Sequence, residues 1–284
     1  MNINWFPGHM KKTLEDLESK ARVIDFIIEM LDARIPYSSQ NPSLQEILPG
    51  KKRLVLLNKS DLAEEKATKD WLKDFNQREG TLALIYNSKD PRSKKALYEA
   101  ARTLNQDILE KRREKQVENK SLRAMVIGIP NVGKSTFINS YIGKKSAKIG
   151  NRPGITKSNQ WIRLGQDLDL LDTPGVLWPK FENQKVAKHL AYVGSIKDEL
   201  LDMESLALAF IEEMKETRGQ IFEDRYQLDS KLKPLEIYEK IGKKRGAILK
   251  GGYIDYEKTA KLILDDFRKG RLGPLSLEVV HESI

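Results

Sequence analysis

The stretch Arg123-Ala124-Met125-Val126-Ile127-Gly128-Ile129-Pro130-Asn131-Val132-Gly133-Lys134-Ser135-Thr136 decides the fold. Its first five residues read as a strand, Arg123 followed by the apolar run Ala124 to Ile127, and a helical pattern starts near Lys134, so residues 128–135 lead from one to the other. That turn satisfies G-x-x-x-x-G-K-[ST], and each residue type has a task there. Glycines let backbone N–H groups wrap phosphate oxygens, and the start of the helix adds positive potential. Lys134 reaches the β- and γ-phosphates, and Ser135 offers its hydroxyl oxygen to Mg²⁺. Asn131, Val132, Gly133, Lys134, Ser135 and Thr136 are therefore the expected phosphate-side residues.

Upstream of this loop, residues 23–31, 53–57 and 82–86 read as buried strands. They alternate with helical patterns over 64–78 and, as one long basic helix, from 93 to about 118; a shorter polar helix covers 10–19. Short apolar runs alternating with helical periods predict a parallel, doubly wound sheet covered on both faces. The last strand signal is 168–171. Beyond it the patterns at 183–193, 204–215, 234–245 and 255–269 are helical, punctuated by Gly194, Gly219, Gly242 and Gly270. The expectation is an α/β, doubly wound P-loop domain with its N-terminal arm over 1–178, followed by a smaller all-α domain over 179–284.

Two further motifs bear on the ligand. Asp172-Thr173-Pro174-Gly175 closes the strand 168–171. A carboxylate at a strand end beyond a phosphate loop is where a ligand to Mg²⁺ or its water belongs, and Gly175 offers an N–H to a γ-phosphate. Asn58-Lys59-Ser60-Asp61 follows the strand 53–57 and has the N-K-x-D form that selects guanine. The Asp61 carboxylate accepts from guanine N1–H and N2–H₂, whereas adenine would leave it unpaired. Alone, these four residues equally suit a helix N-cap, with Ser60 or Asp61 capping the helix that follows. With a phosphate loop in the same chain, guanine is the better reading. Ser88 and Lys89, after the next strand, stand where a loop contacting guanine O6 is expected.

The order of the motifs is unusual. Asn58 to Asp61 and Ser88-Lys89 precede Gly128 to Ser135, Thr156 and Asp172 to Gly175, the reverse of the common arrangement. This order predicts a circular permutation of the P-loop domain, which a compact domain tolerates because its chain ends lie close together.

Within that class, Asn4-Trp5-Phe6-Pro7-Gly8-His9-Met10, Asp32-Ala33-Arg34-Ile35-Pro36, Asn58 to Asp61, Gly128 to Ser135, Pro153-Gly154-Ile155-Thr156 and Asp172 to Gly175 resemble the YlqF/RbgA family of bacterial ribosome-assembly GTPases. The resemblance spans essentially the whole chain. It implies GTP hydrolysis in the maturation of the large (50S) ribosomal subunit, contacts to ribosomal RNA, and GTP or GDP as ligand with Mg²⁺ held by Ser135, Thr156 and Asp172. It implies that Thr156 is the switch threonine closing over Mg²⁺ and the γ-phosphate. Asn131 resembles the asparagine of potassium-stimulated GTPases, implying K⁺ beside it; shaping the loop is the alternative role. Val176 stands where many GTPases carry a Gln to orient the attacking water, and valine neither donates nor accepts a hydrogen bond. The resemblance points instead to His9, on an arm after the Pro7-Gly8 turn, whose imidazole titrates near neutrality; capping the arm's helix or touching RNA is its alternative role. His9, Lys134 and Thr156 are the expected catalytic set. His189 and His281 are expected to be structural or solvated.

Composition sets the outer limits. With 284 residues, 39% hydrophobic and 32% charged, the chain is that of a folded protein. Zero Cys excludes a disulfide partner, a thiolate metal site and a cysteine nucleophile. The most apolar stretch, residues 23–31, is interrupted by Asp25 and Glu29, and no targeting pattern is present, so a cytoplasmic protein without a membrane partner is expected. A monomer is the expected oligomeric state. The net charge of +9 attracts polyanions. Basic clusters fall at Lys111-Arg112-Arg113, Lys144-Lys145, Lys148, Arg152 and Lys243-Lys244-Arg245. Residues 215–271 hold 15 Lys and Arg against 10 Asp and Glu, with Tyr238, Tyr253 and Tyr256 among them. That mixture suits RNA phosphates and bases and predicts rRNA of the large subunit and its precursors as partner.

Overall fold

The computed structural model describes residues 3, 8–116, 121–141, 161–164, 168–178 and 181–280. Six strands, β1 (Phe26–Asp32), β2 (Lys52–Asn58), β3 (Thr81–Ile85), β4 (Leu122–Gly128), β5 (Trp161–Leu164) and β6 (Leu168–Asp172), form one sheet in the order β3-β2-β1-β4-β6-β5. Every neighbouring pair is parallel except β5 and β6. The α/β class with a mostly parallel sheet is thus as expected. Edge strand β5 is new: four residues with an exposed Trp161 give too short a pattern to read.

β1 is central and buried at all seven positions, although Glu29 interrupts its apolar run. The carboxylate stays there because Arg53 of β2 pairs with it, as a buried charge requires. One face of the sheet is covered by α1 (Gly8–Lys20), α2 (Pro42–Ile47) and α3 (Glu65–Gln77). There Leu17, Leu44 and Leu48 meet Ile27, Met125, Ile127, Leu171 and Val176, and Trp71 and Phe75 meet Leu31, Val55, Leu57 and Ala83. Each such side chain contributes about 1.5–3 kcal/mol by leaving water. On the opposite face lie α4 (Pro91–Leu104) and α6 (Lys134–Asn139), and Tyr98 of α4 meets Tyr141, two residues past α6, edge-on.

The long helix expected from residue 93 is two helices, α4 and α5 (Gln106–Glu114). Asn105 leaves helical geometry at φ −116°, ψ 26°, and its buried amide donates to Ala101 O at 2.8 Å. A polar side chain that satisfies the backbone locally competes with the helix ladder.

Two compact units share the chain, one comprising Asn4–Phe181 and Ser276–Ile284, the other Met1–Ile3 and Glu182–Leu275. A single division at 178 therefore differs from this partition at both ends of the chain. Within the second unit run α7 (Gln184–Tyr192), α8 (Met203–Arg218), α9 (Gln220–Tyr226), α10 (Pro234–Lys244) and α11 (Tyr256–Arg268). Ile3 belongs here, its N–H donating to Gln184 Oε1 at 2.8 Å. Gly242 does not end a helix. It lies inside α10, where an added methyl would come within 2.7 Å of Thr259 Oγ1, so its smallness permits a close crossing with α11.

Several of the basic residues in 215–271 are committed inside this unit. The buried Asp266 carboxylate accepts from Arg225 Nε (3.1 Å), Arg245 Nη1 (2.6 Å), Arg271 Nη1 (2.9 Å) and Tyr226 OH (3.1 Å). Arg268 holds Asp198 with two bonds of 2.8 Å and the carbonyls of Ala191 and Tyr192. Burial works against the Asp266 anion, but these donors outweigh it and hold its carboxyl below the usual carboxylate range. Asp266→Ala should destabilise the helical unit by about 3 kcal/mol, because it leaves the Arg225 and Arg245 guanidinium groups without their anion, Arg271 retaining Asp265. Chemical denaturation followed by hydrogen exchange in α8 and α11 would measure the loss.

Candidate functional site

Five strand ends meet at one edge. The pairings Asp32 with Asn58, Leu57 with Ile85, Met30 with Gly128 and Val126 with Asp172 align the carboxyl ends of β1, β2, β3, β4 and β6. The chain order reverses between β1 and β4, and the crevice at such a point is where doubly wound sheets bind ligands.

The phosphate loop follows β4. Gly133 sits at φ +111°, and a Cβ there would fall 2.3 Å from Asn58 Nδ2; one on Gly175 would fall 2.8 Å from Pro130 Cα. Both glycines thus keep open a cradle that any side chain would fill. Asn131 is exposed and left-handed at φ 59°, and Val132 is buried beneath the loop. Lys134 Nζ, buried, donates to Gly128 O (2.8 Å) and Ile129 O (3.1 Å). Burial pulls this amine down to about 8, and the Asp172 carboxylate opposes that fall. Burial likewise raises the Asp172 carboxyl, with Lys134 opposing. Ser135 and Thr136 are exposed in the first turn of α6.

The guanine-side motif is tied to the same loop. Asn58 Nδ2 donates to Val132 O at 2.8 Å. Lys59, left-handed at φ 58°, donates from Nζ to Asn131 O (2.8 Å) and to Asp32 Oδ2 (3.0 Å). Neither Ser60 nor Asp61 caps the next helix: α3 starts at Glu65 after a separate turn over Ser60–Leu62, which leaves Asp61 exposed at the edge. Ser88 and Lys89 lie in the loop after β3, where Lys89 N donates to Asn87 Oδ1 at 2.9 Å.

Sequence reasoning missed what stands behind Lys59. Asp32 is fully buried and accepts from Arg34 Nε (2.9 Å) and Nη2 (2.8 Å) as well as from Lys59. Burial opposes the Asp32 anion, yet Arg34 and Lys59 together hold its carboxyl far below the usual range. A D-x-R triplet directly after an apolar strand was the available signal. Val176 is also in the core, packed with Leu17 of α1, its carbonyl accepting from Asn41 Nδ2 at 3.2 Å. His9 falls in the first turn of α1. Thr156 lies outside the described residues, as do Lys144, Lys145, Lys148, Arg152 and His281. His189 is buried, with Nε2 2.8 Å from Glu213 Oε1, and is structural.

The oxygen donors of Ser135 and Asp172 suit a hard dication. Mg²⁺ takes one or two protein oxygens and completes its shell with phosphate and water, so it needs no cage of carboxylates or histidines, and among the described residues none exists.

Base-side and phosphate-side motifs thus meet at one edge although the chain supplies them in reverse order, which defines the class: a circularly permuted P-loop GTPase. A family model described as 50S ribosome-binding GTPase matches residues 123–239. A protein named ribosome biogenesis GTPase A from Bacillus cereus is 41% identical over 283 residues, 99% of this chain and 95% of its own. Its namesake from Thermotoga maritima is 30% identical, with 97% and 94% covered. The GDP-bound structure of T. maritima YlqF superposes with a TM-score of 0.67 at 27% identity, covering 94% of this chain and 100% of that one. The chain belongs to the ribosome biogenesis GTPase A family, YlqF/RbgA.

Two outcomes follow from the cradle. Gly133→Ala should weaken GDP and GTP binding by tenfold or more, about 1.4 kcal/mol, because its methyl displaces Asn58 from the loop; a fluorescent-nucleotide titration would read it. A bound polyphosphate favours the charged form of Lys134, so binding takes up a proton once the free amine titrates. Affinity should therefore fall as pH rises above about 8, toward the ordinary lysine value of 10.5. Calorimetry at alkaline pH in buffers of different ionisation enthalpy would detect that uptake.

Proposed function

We propose that this GTPase is a cytoplasmic, monomeric assembly factor that binds ribosomal RNA and promotes a late step in the maturation of the large (50S) ribosomal subunit. The observation that carries the reading is the permuted guanine and phosphate edge in a chain that matches ribosome biogenesis GTPase A over nearly its whole length. Among the described residues no helix is long and apolar enough to cross a membrane.

Hydrolysis needs a group that orients water, and Val176 is apolar and buried. His9 takes that role. Support comes from α1, which carries His9 in its first turn and docks through Leu14 and Leu17 on the cluster that contains Val176. Lys134 neutralises charge on the β- and γ-phosphates. Mg²⁺ held by Ser135, Asp172 and Thr156 would add charge neutralisation at the same oxygens. K⁺ beside Asn131 would do so from the solvent side, where that residue is exposed.

The RNA surface is narrower than the raw charge suggests. Arg225, Arg245, Arg268 and Arg271 face acidic partners, Lys244 Nζ donates to Tyr226 O at 2.5 Å, and Tyr238 is in the core. Tyr256 is held by Glu239 at 2.6 Å. Lys258, Lys261 and Lys269 are exposed but reach Gly246 O, Glu257 and Asp265. Lys231, Lys233, Lys240, Lys243 and Lys250 are exposed too, with Tyr253 at 74% exposure on a turn closed by the Ile248–Ile254 bridge. Lysines for phosphates beside an aromatic face for an unpaired base suit single-stranded RNA.

GTP turnover by the protein alone should be slow, and purified large subunits or their precursors should accelerate it by about 10³ to 10⁵. His9→Ala should remove most of that acceleration with GTP binding intact; an undiminished stimulated rate would withdraw His9 from catalysis. Particle affinity should drop steeply with salt, and a flat response would remove RNA as the contact.

A further inference from the structure

The residues just past the helical unit fold back on the α/β unit at one place. Leu277 N–H donates to Arg34 O at 2.9 Å, and Glu64 N–H donates to Ser276 Oγ at 3.0 Å. The Glu278 carboxylate, 1% exposed, accepts from Tyr37 N–H (2.7 Å), from Ser38 N–H (3.1 Å) and from the Ser38 hydroxyl. Its own carbonyl accepts from Trp71 Nε1 at 3.2 Å, and Val280 packs on the cluster of Trp71, Phe75 and Leu31. A buried carboxylate gathering three N–H and O–H donors from one loop is an expensive arrangement unless every donor is held, and here they are.

The loop so held is residues 32–41, and both of its ends belong to the nucleotide site. At its start Asp32 grips Lys59, whose other bond is to the phosphate-loop carbonyl of Asn131. At its end Asn41 donates to the carbonyl of Val176, next to the γ-phosphate-side Gly175. Between them Ser39 ties the loop to itself, its hydroxyl donating to Ile35 O (2.5 Å) and accepting from Asp32 N–H (3.2 Å). We propose that Glu278 is a positioning residue for nucleotide binding: it fixes the loop 32–41, and through Asp32 and Lys59 it sets the guanine-side motif against the phosphate loop. The inference rests on the GTPase site described above.

The full-length protein tests it. Glu278→Ala should weaken GDP and GTP binding about fivefold or more, leave turnover at saturating GTP unchanged, and raise hydrogen exchange across residues 33–40. Glu278→Gln keeps one oxygen for the Tyr37 and Ser38 N–H groups but puts an amino group where the Ser38 hydroxyl donates, so its affinity should fall between those of the wild type and the Ala variant. Ser38→Ala removes one donor at small cost to folding. It should move affinity in the same direction and be non-additive with Glu278→Ala, which keeps the test open if the latter does not fold. Unchanged affinities in folded variants, with only a lower melting temperature, would reduce Glu278 to a structural residue and overturn the proposal. Wild-type protein that bound neither nucleotide would overturn the site itself instead.

Discussion

A buried carboxylate organises this site. Asp32 has no access to solvent, so it must be answered by cations, and it recruits Arg34 from its own loop and Lys59 from just past the end of β2. Lys59 is thereby held where its amine also meets Asn131 O, and the base side and the phosphate side become one rigid unit. Asn58 adds a second stitch to Val132. Removing Asp32 would leave the Arg34 guanidinium buried without its anion and Lys59 without its tether, and such clusters enforce geometry more than they add stability.

The sheet topology makes that contact possible. β1 lies between β2 and β4, so the strand that ends at Asp32 separates the N-K-S-D end from the phosphate-loop end by a single strand width on either side. Permutation changes which connections are continuous and leaves this adjacency alone. The same edge therefore forms although the chain visits its parts in another order.

Much of this was legible in the sequence. The parallel strands announce themselves as apolar runs because both faces are buried, and the phosphate loop and N-K-S-D are read at fixed offsets from them. Less legible were features that depend on partners far along the chain. Asn105 breaks a helix because its amide finds Ala101 O, and Gly242 continues one because Thr259 needs the room. Arg245 looks like a nucleic-acid contact until Asp266 is seen beneath it. Tyr238 and Tyr253 are the same residue type in the same basic stretch, and only packing separates a core ring from an outward one.

The tail at Ser276 to Val280 also alters what counts as a domain. The α/β unit is built from two separate pieces of chain, with Glu182–Leu275 of the helical unit lying between them in sequence. A fragment ending at Phe181 would lack the acceptor for the Trp71 indole N–H and the anion that gathers Tyr37 and Ser38. The α/β unit is thus not an N-terminal fragment but that segment together with residues 276–280, a discontinuous piece that a single cut after Phe181 would divide.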